Sequence, residues 1–301
     1  MRRLLVAADF SHASDRALRR ALLLAAQTGA TLDIVHVLEA AGGDARWVEA
    51  PRTLAEARLA ELQETLRAVD GVAVQVRLET GPPRRALLAA ADALDADLLV
   101  VGAPRRAVGL RAAFPSGTAE RLARIAHRPV LVAAGVPAGP YERIFVATDF
   151  SRASLSAVRA ISRLGLDRLG SVTVAHVFES ALPALHESAD TSIRDQAEAW
   201  IEAERVRSAG RLEDVLRSEP AGEWHRVVEP NPSTPAASLL GIAADARAEL
   251  NVIGSHGRSR LGRHLAGSVL WDPVRAASRG RPVVASASHP GLGRGRGGPG
   301  R

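Results

Sequence analysis

The chain contains two copies of one sequence pattern, and this repeat restricts the available folds more than any other feature. Leu4-Leu5-Val6-Ala7-Ala8-Asp9-Phe10-Ser11 returns as Ile144-Phe145-Val146-Ala147-Thr148-Asp149-Phe150-Ser151, an offset of 140 that still holds between His36-Val37 and His176-Val177. Further on, Ala96-Asp97-Leu98-Leu99-Val100-Val101-Gly102 matches Ala248-Glu249-Leu250-Asn251-Val252-Ile253-Gly254, where the offset has grown to 152. The second copy therefore has a longer middle. Arg128-Pro129-Val130 and Arg281-Pro282-Val283 close the two copies. A chain of 301 residues has room for two domains of ordinary size, each with its own core. The Gly/Pro-rich stretch Gly135-Val136-Pro137-Ala138-Gly139-Pro140 reads as a linker. The expected organisation is one domain over 1–134, a linker over 135–142, a second domain over 143–289, and a disordered Gly/Arg tail over 290–301.

Each copy reads as β-α-β-α-β-α-β-α-β. In the second, Arg143–Thr148 is a strand, and Ser151 is placed to cap a helix over Arg152–Leu164. Ser171–Val177 is the next strand, a long helix runs from about Thr191 to Arg217, and Glu223–Val228 is the third strand. Thr234-Pro235 sets a capping residue before a proline, which suits the first helical position. That helix runs to about Ala246, with Leu250–Ile253 as the fourth strand, a last helix from near Gly267, and Pro282–Ala285 as the last strand. Runs such as Leu98–Val101 are apolar on both faces, as parallel strands covered by helices must be. The fold class expected is α/β, two tandem doubly wound five-stranded parallel sheets.

Composition narrows the chemistry. With 47% hydrophobic and 24% charged residues the chain can build cores, and with only 3% aromatics it must pack them from aliphatic side chains. There is no cysteine, which removes disulfides, thiolate metal sites and thiol nucleophiles. The basic residues are all arginine, and a net charge of +6 spread over the whole chain is compatible with phosphate-bearing ligands without pointing to nucleic acid. The start, Met1-Arg2-Arg3-Leu4-Leu5, is interrupted by Asp9 too early for a signal peptide, so the expected location is the cytoplasm. The tail Gly293-Arg294-Gly295-Arg296-Gly297-Gly298 lacks aromatics on which bases could stack, and no nucleic-acid or membrane partner is expected.

In a doubly wound sheet a ligand sits beyond the carboxyl ends of the strands, where the winding reverses. For a five-stranded unit that point lies between strands one and four. Strand four of the second copy is followed by Gly254-Ser255-His256-Gly257-Arg258-Ser259-Arg260-Leu261-Gly262-Arg263-His264-Leu265-Ala266-Gly267-Ser268. Gly254 and Gly257 allow backbone N–H groups to approach a phosphate, and Gly267-Ser268 opens a helix whose free N–H groups favour negative charge. A flexible Gly/Ser loop with solvated arginines is the plain alternative. Asp149 can accept from a ligand or merely begin a turn that caps the next helix. His36 and His176 stand in apolar strands and are expected to be buried and hydrogen-bonded. His256 and His264 have no carboxylate run beside them, and no metal site is expected.

The spacing G-x2-G-x9-G-[ST], met by Gly254, Gly257, Gly267 and Ser268, resembles the ATP-binding signature of the universal stress protein family. Val252-Ile253-Gly254-Ser255-His256-Gly257-Arg258 and the Asp-Phe-Ser ending of both first strands are similar to that family too. The resemblance covers about residues 1–289 as two copies. It implies an adenine nucleotide alpha hydrolase-like, Rossmann-like fold and an ATP molecule, with or without Mg2+, in the second domain. The implied contacts are Thr148, Asp149, Phe150 and Val177 towards the adenine, and Gly254, Ser255, His256, Gly257, Arg258, Gly267, Ser268 and Val269 around the phosphates. It also implies that the two copies pair through their last strands, with a further homodimer open.

The first copy departs from the signature. Gly102 and Gly117-Thr118 remain, but Arg105 replaces the second glycine, Gly117 comes two residues late, and Pro104 and Pro115 stiffen the loop. The first site is expected to be degenerate or weak, the alternative being a rearranged loop in which Arg105 and Arg106 hold phosphate. No Ser-His-Asp set, P-loop lysine or paired carboxylate accompanies the loop, so binding with slow hydrolysis at best is expected. Two function classes follow: a nucleotide-binding stress sensor or regulator, or a structural or protein-interaction module of the same fold.

Overall fold

A computed structural model of the chain describes residues 1–39, 46–67, 71–103, 118–179, 190–219, 222–231, 234–254 and 283–286. The first repeat comprises β1 Arg3–Ala7, α1 His12–Thr28, β2 Thr31–Leu38, α2 Arg46–Arg67, β3 Val74–Thr80, α3 Pro83–Ala93, β4 Leu98–Gly102, α4 Thr118–Ile125 and β5 Val130–Ala133. The second comprises β6 Arg143–Ala147, α5 Arg152–Leu164, β7 Ser171–Glu179, α6 Thr191–Leu216, β8 Trp224–Asn231, α7 Pro235–Asp245, β9 Leu250–Gly254 and β10 Val283–Ser286. The last helix expected near Gly267 lies outside the described residues. The third strand of the second repeat runs on past Val228 through Pro230. A proline is tolerated there because β8 is an edge of the sheet, where one N–H is not needed.

Local chemistry starts and stops the helices in the same way in both repeats. Ser11 and Ser151 have extended backbones and accept hydrogen bonds from the amides of Ser14 and Ser154, and Gly29 and Gly165 end the helices in the left-handed region at φ 67° and 71°. Thr234 caps α7 by accepting from the Ala237 amide, with Pro235 in the first turn. The strands begin alike as well. Asp97 accepts from the amides of Arg2 and Arg3 at 2.6 and 3.0 Å, and Glu249 accepts from those of Glu142 and Arg143 at 2.7 and 3.2 Å. In each repeat the acidic residue before the fourth strand thus ties down the entry to the first.

Among the described residues, ten strands form one sheet, in the order β3-β2-β1-β4-β5-β10-β9-β6-β7-β8. Every pairing is parallel except that of β5 with β10, where Val132 faces Val283 and Val130 faces Ala285 in antiparallel register. Successive strand residues supply opposite faces. Leu4, Val6, Leu98, Val100, Ile144, Val146 and Val252 pack with α1 and α5 on one face. Leu5, Leu99, Val101, Phe145 and Ile253 pack with α3, α4 and α7 on the other. Both cores contain residues of both repeats, so burial is continuous across the seam. The winding reverses between β1 and β4 in the first repeat and between β6 and β9 in the second.

The segment between β5 and β6 is anchored at its end. Arg20 of α1 is buried, donates to the Gly139 carbonyl at 2.7 Å, and lies 3.9 Å from the centre of the Tyr141 ring. Tyr141 is fully buried in the core shared by both repeats, and its hydroxyl has no hydrogen-bond partner among the described residues. Burial pushes the phenol well above its ordinary pKa. Arg20→Met is expected to cost about 2–3 kcal/mol, because it removes a hydrogen bond from a charged donor and a desolvated cation–π contact. Tyr141→Phe is expected to leave stability unchanged or raise it by about 1 kcal/mol, because it removes an unsatisfied buried hydroxyl. Urea unfolding of the two variants measures both.

Candidate functional site

The ends of β1 and β6 carry the same turn. Beyond β6, the Thr148 amide donates to the Ala175 carbonyl at 2.8 Å, as the Ala8 amide does to the Val35 carbonyl at 2.9 Å. The chain then turns through Phe150, and through Phe10 in the first repeat, both at φ 58°, a left-handed conformation rare for a bulky residue. Asp149 holds the turn: its Oδ1 accepts from the Ser151 amide at 2.9 Å and from Ser154 Oγ at 2.7 Å. Asp9 Oδ1 accepts from the Ser11 amide at 3.0 Å. Burial works to raise the pKa of Asp9, but hydrogen bonds from Ser11 and Ser14 outweigh it and hold the carboxyl below its ordinary value. Asp149 therefore has the turn-forming role weighed above, whatever else it does.

A stack that the sequence reading missed supports each turn. His176 Nδ1 donates to the Thr148 carbonyl at 2.8 Å, and His36 Nδ1 to the Ala8 carbonyl at 2.7 Å. A carbonyl only accepts, so Nδ1 carries the proton in both contacts. The Phe150 and His176 rings are 4.5 Å apart, with the Arg211 guanidinium 4.1 Å from the Phe150 ring centre. Phe10, His36 and Arg58 repeat the arrangement at 4.7 and 5.5 Å. Both histidines are half-buried rather than buried. The recurrence of Phe-Ser and His-Val at one offset was the available signal. The arginines come from α2 and α6, whose spacing differs between the copies, and nothing in the sequence marks them.

Thr148, Asp149, Phe150, Val177 and Gly254 are described, and they stand at the carboxyl ends of the neighbouring strands β6, β7 and β9. The β6–β9 register pairs Ile144 with Leu250 and Val146 with Val252, and its extension sets Thr148 level with Gly254. Val177 lies two residues beyond Ala175, so its amide and carbonyl aim the same way as the Ala175 carbonyl, into the gap past the end of β6. Ser255, His256, Gly257, Arg258, Gly267, Ser268 and Val269 lie outside the described residues, as do Arg105 and Arg106.

Gly254 has a packing duty of its own. A Cβ there would lie 2.7 Å from the Ala153 carbonyl carbon and the Ser154 amide nitrogen in the first turn of α5. Gly102 meets the Ala13 backbone in α1 in the same way. The survival of Gly102 in the divergent copy is accounted for by this contact, without any ligand. Around it the first repeat forms a cavity of about 200 Å³, walled by Ala8, Val35, Val37, Leu87 and Val101, with Asp9, Ser14 and Thr118 as its polar groups.

Gly102→Ala and Gly254→Ala are each expected to cost about 1–3 kcal/mol in ligand-free protein, read by urea unfolding, because the first helical turn must move. A pH effect is expected at His176. Burial holds its pKa below the ordinary histidine value, helped by the Arg211 charge and opposed by the Thr148 carbonyl, Asp149 and Glu204. Below about pH 6.5 the unfolded chain binds a proton there that the folded chain resists. The stability contribution is therefore complete above that pH and is lost as the pH falls towards the lowered value. His176→Asn should flatten the decline in unfolding free energy as the pH falls below about 6.5.

The model of the universal stress protein family matches this chain twice, over residues 1–134 and 140–284. Among solved structures, a universal stress protein from Archaeoglobus fulgidus DSM 4304 matches with a TM-score of 0.70 and 18% identity, over 95% of this chain and 98% of that one. A protein of unknown function from Pseudomonas aeruginosa PAO1 matches with a TM-score of 0.63 and 20% identity, over 96% and 93%. At these identities the likeness extends to the fold alone. No curated protein matches. The double family match over a sheet of two like halves leads to one conclusion: this chain belongs to the universal stress protein family, with two such domains in tandem.

Proposed function

We propose that the protein binds an adenine nucleotide, ATP with or without Mg2+, in its second domain, and acts as a cytoplasmic stress-response sensor or regulator whose occupancy alters its contacts with partners. The observation that carries this reading is a juxtaposition. The glycine that opens the G-x2-G-x9-G-S spacing, Gly254, stands level with Thr148 and beside the Asp149 turn, at the reversal of the winding. The phosphates would lie on Gly254, Ser255, His256, Gly257 and Arg258 and on the Gly267-Ser268-Val269 helix start. The adenine would lie towards Asp149, Phe150 and the backbone of Val177. Among the described residues no helix is long and apolar enough to cross a membrane.

A second reading rests on the cavity in the first repeat. Its walls are in place although its loop departs from the signature, which supports a second, weaker site in the first domain. A structural or interaction module remains the competing function for both halves.

One experiment separates these readings. The protein is purified without added nucleotide and denatured, and any released adenine nucleotide is identified. Gly257→Asp is expected to abolish that release, because it sets a side chain and a negative charge among the phosphate-facing amides. Asp9→Ala is expected to leave most of it. Equal losses would assign binding to both domains. No nucleotide from the wild-type protein, together with no calorimetric response to added ATP, would leave the interaction module.

A further inference from the structure

We propose that the free edge of β3 is an interaction surface for a second copy of this chain, two β3 strands meeting antiparallel with Leu78 on the two-fold axis. The proposal is independent of the nucleotide reading.

The outermost strands of the sheet are β3 and β8. Along a strand, alternate residues turn their amide and carbonyl to opposite sides. The Leu32 amide donates to the Ala73 carbonyl at 2.8 Å, and the Gly81 amide donates to the Leu38 carbonyl at 3.0 Å. Gln75, Arg77 and Glu79 therefore bond towards β2, and Val74, Val76, Leu78 and Thr80 turn their backbones outward. Among the described residues nothing pairs with that outer side. On β8 the Val172 amide donates to the Glu223 carbonyl at 2.8 Å, which turns Trp224, Arg226, Val228 and Pro230 outward. Pro230 has no amide proton to offer a further strand, and it blunts that edge. Thr80 pairs with Leu38 as Pro230 pairs with Phe178, and Leu38 and Phe178 stand at the repeat offset of 140. Thr80 is thus the counterpart of Pro230 and keeps its N–H. One edge is guarded and the other is open.

Charge selects the occupant and the register. An antiparallel pair about Leu78 sets Val76 against the partner's Thr80 and Leu78 against the partner's Leu78, each with outward amide and carbonyl. It also sets Arg77 against the partner's Glu79 and Glu79 against the partner's Arg77. The Arg77 guanidinium is already held in place: Nε donates to the fully buried Asp33 at 3.0 Å and Nη2 to Gln75 Oε1 at 3.0 Å. Its Nη1 makes no hydrogen bond among the described residues, and Glu79 makes no ion pair among them. Opposite charges facing across two strands stabilise the pair, and like charges destabilise it. An axis at Arg77 would lengthen the ladder but would set two guanidiniums against each other. The axis at Leu78 forms both ion pairs and covers the half-buried Leu78 side chain with its own copy. With Pro230 at the far edge, association stops at two.

The test is the mass of the full chain in solution by light scattering at concentrations up to about 0.1 mM, with thermal melting of each variant as a control for folding. The wild-type protein is expected to reach twice 31.7 kDa. Thr80→Pro copies the guard of the other edge and removes no hydrogen bond within the chain, so it is expected to melt like the wild type and remain a monomer. Glu79→Gln, which keeps the backbone donors, is expected to weaken the dimer about tenfold and to remove most of its salt dependence. The chain has no cysteine, so a short bismaleimide is expected to join Leu78→Cys to its copy and to leave Val206→Cys, an exposed position on α6, single. A wild-type monomer throughout that range overturns the proposal. So does a dimer that a well-folded Thr80→Pro or Glu79→Gln leaves unchanged, which would lie on another surface, and so does equal linking at positions 78 and 206.

Discussion

The structure depends on the antiparallel contact between β5 and β10. Each repeat ends on a strand that would otherwise leave a row of unpaired amides and carbonyls at the sheet edge, an invitation to associate with other chains. Pairing the two ends makes one sheet of ten strands, and the edges that remain are β3 and β8. Both hydrophobic faces then run through the seam without a break. Arg20 and Tyr141 add a second tie, from the helix of the first repeat to the segment that enters the second. The two repeats behave as halves of one body.

That arrangement also determines where a small molecule can go. Helices cover both faces and the two last strands cover each other, so access is left at the strand ends where the winding reverses. At that point each repeat must bring a strand end and a helix start into contact, and Gly102 and Gly254 allow it. The close approach of strand end and helix start is thus common to both repeats. The constraint acts equally on both repeats, so it does not by itself mark either of them as a binding site. What differs is side-chain chemistry at the rim: a threonine against an alanine at the turn, and glycines against Arg105 and two prolines in the loop.

The turn itself shows how a sheet end can be made rigid with few aromatic residues. Phe10 and Phe150 occupy a left-handed backbone that costs free energy for a bulky side chain. The cost is offset by stacking on His36 and His176, by guanidinium groups from α2 and α6, and by the carbonyl contacts of the two histidines. With the backbone held in this way, the aspartate between strand and phenylalanine has little freedom of its own.

By itself, the sequence determined the duplication, the α/β class, the order of elements and the serine and threonine caps, because these follow from local pattern: apolar runs, capping residues and a repeat that is visible by alignment to itself. It also pointed to Asp149 and Gly254, whose neighbours in the chain mark them. Only the tertiary structure decided that Gly102 and Gly254 are required by packing, that Arg20 and Tyr141 lock the segment between the repeats, and that Arg58 and Arg211 reach the turns. Those contacts join residues from different elements, and the arginines sit on helices whose length differs between the copies. Proximity of that kind depends on how helices lie across a sheet in three dimensions, which a one-dimensional pattern does not encode.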